Sequence, residues 1–357
     1  MRRAAVFVLA ALTTWTAPGP ARAMAPPPVS PCEFTGVDRI VAVGDAHGDY
    51  DHFLQVLQAA GVVDAKKKWS GGTTHLVQTG DVLDRGNDSR KILDLLRAIT
   101  PQAAAAGGAV HELVGNHEEM RMVGDFRYTS KAEYGAFATS ESASLRQQVA
   151  DSAAPESRTA ILDSPLGMIE MVRAFAPNGE YGAYLRQLPA VIRINDIVFL
   201  HGGLSPAYGS RSCAEINEEV RRDLTEDLAK TRAAVTSTLV GSADGPLWYR
   251  GLAQEPDTFA PEVETIVAAQ KARALVIGHT GAPGYRITMR FGGKVVLIDT
   301  GMNLKYEPDG HPSALEITRG AWTAIYLDGR VPLGAGPGGG TATHQDEPGN
   351  HGIRGQR

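Results

Sequence analysis

Five times along this chain a short strand-like run stops at a glycine-bearing turn that presents Asp, His or Asn. Ile40–Val43 runs into Gly44-Asp45-Ala46-His47-Gly48-Asp49, and Thr74–Thr79 runs into Gly80-Asp81-Val82-Leu83-Asp84-Arg85-Gly86. Ala109–Val114 ends at Gly115-Asn116-His117-Glu118-Glu119, Ile197–Leu200 at His201-Gly202-Gly203, and Ala274–Ile277 at Gly278-His279-Thr280. The first three runs are separated by helix-like stretches, which is the pattern of an α/β fold. In such sheets ligands gather beyond the carboxyl ends of the strands, so five turns of this kind predict one shared site.

The second turn is the most informative. Asp81 and Asp84 lie three positions apart, Arg85 follows, and Gly80 and Gly86 bracket them. A carboxylate bridges two metal ions through its two oxygens, which neither His nor Asn does. A guanidinium grips phosphate oxygens through parallel hydrogen bonds, and the glycines permit a sharp turn close to a ligand. Across all five turns the donors are carboxylate, imidazole and amide oxygen, a set suited to Mn, Fe or Zn. There is no thiolate to favour copper or an iron–sulfur cluster.

Helices are expected near Asp51 to Leu57, over 88–99 ahead of Pro101, and over 131–150, 166–176, 180–187 and 213–235. Residues 121–190 are polar and lack strand signals, so they read as a helical cap inserted between the two halves of a sheet. Tyr285–Phe291 and Lys294–Ile298 read as a hairpin around Gly292-Gly293, and Ala314–Ile317 and Trp322–Leu327 as late strands. Beyond 332 the composition turns to Gly, Pro and polar residues and predicts a disordered tail over 333–357. His52, His75, His111 and His311 stand outside every motif and read as structural.

At 357 residues with 43% hydrophobic and 21% charged residues, the chain can bury a large core. A net charge of −5, with Lys66-Lys67-Lys68 the longest basic run, gives no support for a nucleic-acid partner. Residues 1–23 read as a signal peptide: Arg2 and Arg3, a short apolar run over 4–12, and a small-x-small site at Ala21-Arg22-Ala23. A Pro-rich leader over 24–38 follows, extended and mobile over Ala25 to Ser30, with the folded part starting near Arg39. No other stretch approaches about 18 apolar residues, so the expectation is a secreted or periplasmic protein without a membrane span. Cys32 and Cys213 sit in no CxxC context; in an oxidising compartment they either pair or stay as two buried thiols.

The ordered set GDAHG, GDVLDRG, GNHE, HGG and GHT closely resembles the calcineurin-like metallophosphoesterases, and within them the phosphoprotein phosphatase superfamily. The resemblance spans roughly residues 40–300. It implies a two-sheet αββα sandwich carrying two divalent or trivalent metal ions. Asp45 and His47 would bind the first metal, Asp81 would bridge both, and Asn116, His201 and His279 would bind the second. His117 would be the general acid, with Asp84 orienting its ring, and Arg85 would hold the phosphate. The implied reaction is phosphomonoester hydrolysis by a hydroxide the two metals make available near neutrality, on a phosphorylated protein or a small phosphoester.

Pro246-Leu247-Trp248-Tyr249-Arg250-Gly251 resembles the segment that presents a second phosphate-gripping Arg in the Shewanella-like branch, which would be Arg250 here. Val114 stands where the eukaryotic serine/threonine phosphatases have an Arg, and the insertion between His117 and His201 is longer than theirs. Both departures favour the Shewanella-like or another bacterial branch and predict no regulatory subunit of the eukaryotic kind. Phosphotyrosine and phosphoserine/threonine both stay open as substrates. A dinucleoside polyphosphate hydrolase shares three of the motifs, and a non-catalytic metal-binding module would retain the fold without turnover. Asp299-Thr300-Gly301, which follows the apolar Val295–Ile298, suits support of the His279 loop rather than a catalytic step.

Overall fold

The computed structural model describes residues 31–225 and 235–337. Its core is two six-stranded mixed sheets. The first runs in the order β12-β11-β10-β2-β3-β4. Its parallel half is β2 (Arg39–Val43), β3 (His75–Gln78) and β4 (Ala109–Glu112). Beside β2 lies an antiparallel meander of β10 (Ser313–Thr318), β11 (Ala321–Tyr326) and β12 (Gly329–Ala335). The second sheet runs β1-β5-β6-β7-β9-β8. It is built on parallel β6 (Ile197–Leu200), β7 (Ala274–Ile277) and β9 (Val295–Leu297). Antiparallel β5 (Val191–Ile194) and β8 (Thr288–Arg290) flank them. β6 and β7 are buried at every residue and read as continuous apolar runs, as strands covered on both faces must.

The parallel strands of both sheets end at the same edge. Gly44, just past β2, lies so close to the end of β9 that a Cβ built on it would stand 2.3 Å from the Ile298 carbonyl oxygen. Only glycine allows that approach. At the neighbouring strand, Thr79 past β3 accepts a hydrogen bond on its carbonyl from the His201 ring, which follows β6. The turns after β2, β3, β4, β6, β7 and β9 are thereby drawn together.

Helices follow the first strands. Helix α1 (Tyr50–Ala59) is capped by Asp49, whose side chain accepts from the His52 amide, and it buries Phe53, Val56 and Leu57. Helix α2 (Ser89–Ala105) does not stop ahead of Pro101, as the sequence predicts, but carries that proline inside it. Burial of Ala103, and the hydrogen bond from the Trp69 amide to Gln102 Oε1, hold the last turn in place and offset the missing backbone donor. Helix α3 (Asn116–Met122) is short and buried at all seven positions.

Between β4 and β5 the described chain is helical: α4 (Lys131–Gly135), α5 (Ser142–Ser152), α6 (Pro155–Leu162), α7 (Met168–Phe175) and α8 (Glu180–Leu185). The single helix expected over 131–150 is in fact α4 and α5. Gly135 lies in the last turn of α4, and the Thr139 amide turns to Ser142 Oγ, breaking the ladder. Pro155 then opens α6 at a position where its missing N–H costs nothing. The helix expected over 213–235 is α9 (Cys213–Thr225) as far as it is described; residues 226–234 lie outside the described residues. Two shorter helices, α10 (Gly251–Gln254) and α11 (Ala260–Ala269), precede β7.

Two boundaries differ from expectation. The stretch read as a Pro-rich leader over 24–38 contributes β1 (Glu33–Phe34), which adds in parallel to β5. Cys32 is disulfide-bonded to Cys213 at the start of α9, which fixes this edge in place where a two-residue strand alone would fray. At the other end, residues 333–335 of the expected tail belong to β12, because the chain continues to satisfy the edge of β11 through Ala335. The signal-like segment 1–23 and residues 338–357 lie outside the described residues. No helix among the described residues is long and apolar enough to cross a membrane.

Candidate active site

Asp45, His47, Asp81, Asn116, His201 and His279 are all buried where the strand ends converge. Asp81 lies between two groups of imidazoles. Its Oδ2 faces His47 Nε2 at 3.8 Å and His117 Nε2 at 3.9 Å, while its Oδ1 faces His201 Nε2 at 3.2 Å. The ligand atoms of His47, Asp81 and His117 lie within 4.8 Å of one another, as do those of Asp81, His201 and His279. Asp45 approaches His47 at 3.9 Å and accepts the His279 amide at 3.0 Å, tying the first turn to the last. Asn116 Oδ1 lies 2.9 Å from His201 Nε2.

The imidazoles are oriented from behind. His47 Nδ1 pairs with the Leu83 carbonyl at 3.0 Å, and His201 Nδ1 with the Thr79 carbonyl at 2.9 Å. A carbonyl only accepts, so each Nδ1 carries a proton and each Nε2 turns toward the shared cavity. His279 is held the other way round, through Nε2 to the Trp248 carbonyl at 3.2 Å. The Asp81 turn is gripped by Glu118: Oε2 accepts the amides of Gly115 and Asp81, and Oε1 those of Val82 and Leu83. The backbone around the site is unusual, for His47, Asp81, Asp84, Arg85 and His279 all adopt left-handed φ. Strain concentrated at one site is a mark of function.

The electrostatics call for added positive charge. Burial pushes the Asp45 carboxyl up, and Asp299 and Asp81 push it further. Burial opposes ionisation of Asp81 as well, but His201 and His117 bring it well below the usual carboxylate range. Burial alone would discharge His201; Asp81, Asp45 and Glu118 instead hold a proton on it up to about 9. A crowd of buried carboxylates that recruits a proton onto a neighbouring imidazole is a donor set that accepts cations, which displace such protons on binding. Oxygen and imidazole donors disposed on both sides of Asp81 therefore fit cation binding. His47, Asp81 and His117 cluster on one side and Asp81, His201 and His279 on the other, with Asp45 beside His47 and Asn116 beside His201 as further donors that would complete a pair of sites.

His117 lies in the first turn of α3 beside that centre. Its amide donates to Asp81 Oδ1 at 2.9 Å, and its Nδ1 pairs with Asp84 Oδ2 at 2.8 Å, so Nε2 points back toward Asp81. Arg85 is half-buried, its amide bonded to the Tyr128 carbonyl and its Nε without a hydrogen-bond partner. Its guanidinium lies 4.3 Å from the ring centre of Tyr306 and 5.8 Å from that of Tyr128, both well exposed, and Tyr128 also packs against His117. Arg250 reaches the same edge, donating through Nη1 to the His279 carbonyl and Thr280 Oγ1. Beside it, between α3 and the Pro246–Arg250 turn, opens a cavity of about 500 Å³ lined in part by Met120, Val123 and Trp248.

All ten residues named from the sequence thus meet at one edge. Several that matter were missed. Glu118 lies inside a motif, and its spacing from Gly115 is that of a capping acid. Arg121 follows His117 by four positions, one helical turn, a cue that was available. Glu133, Thr129, Tyr128 and Tyr306 carry no local signal. His75 and His111 pair with each other at 3.0 Å beside Phe34, away from these turns.

A family model described as calcineurin-like phosphoesterase matches residues 38–283. An uncharacterized protein of Schizosaccharomyces pombe is 32% identical over 287 residues, covering 78% of this chain and 77% of that one. Shewanella-like protein phosphatase 2 of Arabidopsis thaliana is 30% identical over 311 residues, covering 82% of this chain and 78% of that one. Among solved structures, the cold-active protein-tyrosine phosphatase of a psychrophilic Shewanella species superposes with a TM-score of 0.67 at 28% identity, covering 85% of this chain and 83% of that one.

Proposed function

Because the chain belongs to the calcineurin-like phosphoesterase family and is a metal-dependent phosphoester hydrolase, we propose that it dephosphorylates proteins, with phosphotyrosine the preferred residue. The observation that carries the reading is the arrangement around Asp81: a cation-binding cluster with His117 on one flank and the Arg85 guanidinium at the rim. Two bound metal ions would supply a water of lowered pKa and polarise the phosphoryl oxygens. Arg85 and Arg250 grip the phosphate oxygens, where charge grows as phosphorus is attacked. Asp84 keeps the proton of the His117 ring on Nδ1 when the ring is neutral. When the ring is charged, Nε2 carries a second proton that it hands to the leaving oxygen of the ester.

The phosphotyrosine preference rests on Tyr128 and Tyr306. They flank Arg85 with exposed rings, offering aromatic faces to a phosphoaryl group as its phosphate reaches the guanidinium. A solved relative named as a protein-tyrosine phosphatase supports the same substrate. We also propose that the protein is exported, supported by the signal-like pattern of residues 1–23 and by a disulfide of a kind that persists in oxidising compartments.

The test is a panel of matched peptides bearing phosphotyrosine, phosphoserine or phosphothreonine, with Mn, Fe or Zn supplied and metal content measured. The expected result is turnover with phosphotyrosine fastest. Faster turnover of phosphoserine or phosphothreonine overturns the preference; a folded, metal-loaded protein that hydrolyses no phosphoester overturns the whole reading. Fractionation and the mass of the mature amino terminus test export.

A further inference from the structure

Arg121 is among the largest fully buried side chains, and it is charged. Its Nη2 donates to Asp84 Oδ1 at 2.5 Å and to Glu133 Oε1 at 3.2 Å. Thr129 Oγ1 donates to the same Asp84 oxygen at 2.9 Å. Asp84 thus has one oxygen taken by Arg121 and Thr129, and only Oδ2 remains for His117, 2.8 Å away. Glu133 is delivered from the helical stretch between β4 and β5. It lies on α4, whose first turn is capped by Ser130, and Ser130 in turn donates to Asn87 just past the Asp84 turn. The Arg121 guanidinium is walled by Phe126, Phe175 and Met171.

Burying two carboxylates and a guanidinium is a poor way to gain stability, since desolvation consumes most of the attraction and an apolar trio of similar volume does as well or better. What such a cluster does provide is a fixed direction. Burial works against ionisation of Asp84, yet Arg121 and His117 hold it well below the usual carboxylate range, so it stays a permanent acceptor. With Oδ1 anchored, the carboxylate does not rotate, and the His117 ring has a single orientation.

We propose that Arg121 and Glu133 are positioning residues for proton donation by His117, acting through Asp84. The proposal rests on His117 being the general acid, as argued above. In chemical terms a hydroxide oxygen, derived from water, bonds to phosphorus as the P–O bond to the leaving group breaks. The electron pair of the broken bond stays on the leaving oxygen, and that oxygen takes the proton from His117 Nε2. Misalignment of the ring therefore penalises poor leaving groups, which need the proton, and spares good ones, which depart without it.

The experiment measures kcat for a series of aryl phosphates, from dinitrophenyl to unsubstituted phenyl phosphate, with wild type, His117→Asn, Arg121→Met and Glu133→Gln. Unfolding midpoints identify which variants remain folded, and where Arg121→Met does not, Glu133→Gln carries the test. The expected result is that His117→Asn steepens the dependence on the leaving group most. Arg121→Met loses about tenfold on phenyl phosphate and less than about threefold on the dinitrophenyl ester, and Glu133→Gln tilts the series the same way by less. If His117→Asn tilts the series while the folded Arg121 and Glu133 variants show a parallel fall, or none, the positioning role is overturned and the general acid stands. If His117→Asn lowers every ester by one factor, the general-acid reading fails and takes this proposal with it.

Discussion

Asp81 Oδ1 and His201 Nε2 meet at 3.2 Å, while Asp81 Oδ2 faces away from that contact, toward His47 and His117. One carboxylate therefore serves both sides of the site. Asp81→Asn keeps the shape but replaces one oxygen with an amide nitrogen that donates rather than ligates. The expected outcome is loss of bound metal by elemental analysis together with a fall in kcat of roughly a thousandfold or more. Unchanged metal content with full activity would remove Asp81 from the centre of the mechanism.

Tyr306 and Arg85 make the rim, with the guanidinium 4.3 Å from the ring centre. Tyr306→Ala removes one aromatic face and leaves the buried donor set untouched. The expected outcome is a rise in KM for a phosphotyrosine peptide of about three- to tenfold, in line with the worth of one aromatic contact. KM for the matched phosphoserine peptide should stay within about twofold. Equal effects on both peptides would show that the ring packs the arginine and takes no part in selecting substrate.

Cys32 and Cys213 are 181 positions apart and close a very long loop. On the chain-entropy account such a crosslink contributes up to about 5 kcal/mol by restricting the unfolded chain. Cys32→Ser should therefore lower the unfolding midpoint in denaturant by several kcal/mol in free energy. Activity measured well below the transition should be retained, because the bond ties β1 and α9 rather than any of the strand-end turns. A variant with unaltered stability would mean that the reduced chain keeps its ends together without the bond.

What could be read in advance follows from how each feature is encoded. The parallel strands and their turns were legible because burial on both faces forces continuous apolar runs, and ligand chemistry forces Asp, His and Asn at their ends. Glu33–Phe34 and Gly329–Ala335 were not, since an edge strand needs only one partner and leaves a short or ordinary sequence. Pro101 misled because a rule about backbone donors was overridden by packing of the turn beyond it. At the site, residues that touch the proposed metals belong to fixed spacings, whereas Glu133 and Tyr306 act from elsewhere in the chain through contacts that only the fold creates.

Glu112 offers a test of stability against pH. It ends β4, is 5% exposed, and accepts a hydrogen bond from Tyr184 Oη at 2.7 Å, while its Oε1 has no partner. Burial pushes its carboxyl up to about 8, with the Tyr184 hydrogen bond only partly opposing. The unfolded chain ionises this group near 4.5, so between that value and about 8 the unfolded state releases a proton that the folded state keeps. The stability Glu112 contributes is therefore full below the lower value and is lost progressively as pH rises through the upper one. Glu112→Gln is neutral throughout and accepts the same Tyr184 hydrogen bond. Denaturant unfolding from pH 5 to 9 should show wild type and variant close together at the acid end and the variant more stable by a few kcal/mol at the alkaline end. Parallel curves would mean that Glu112 is already ionised in the folded protein.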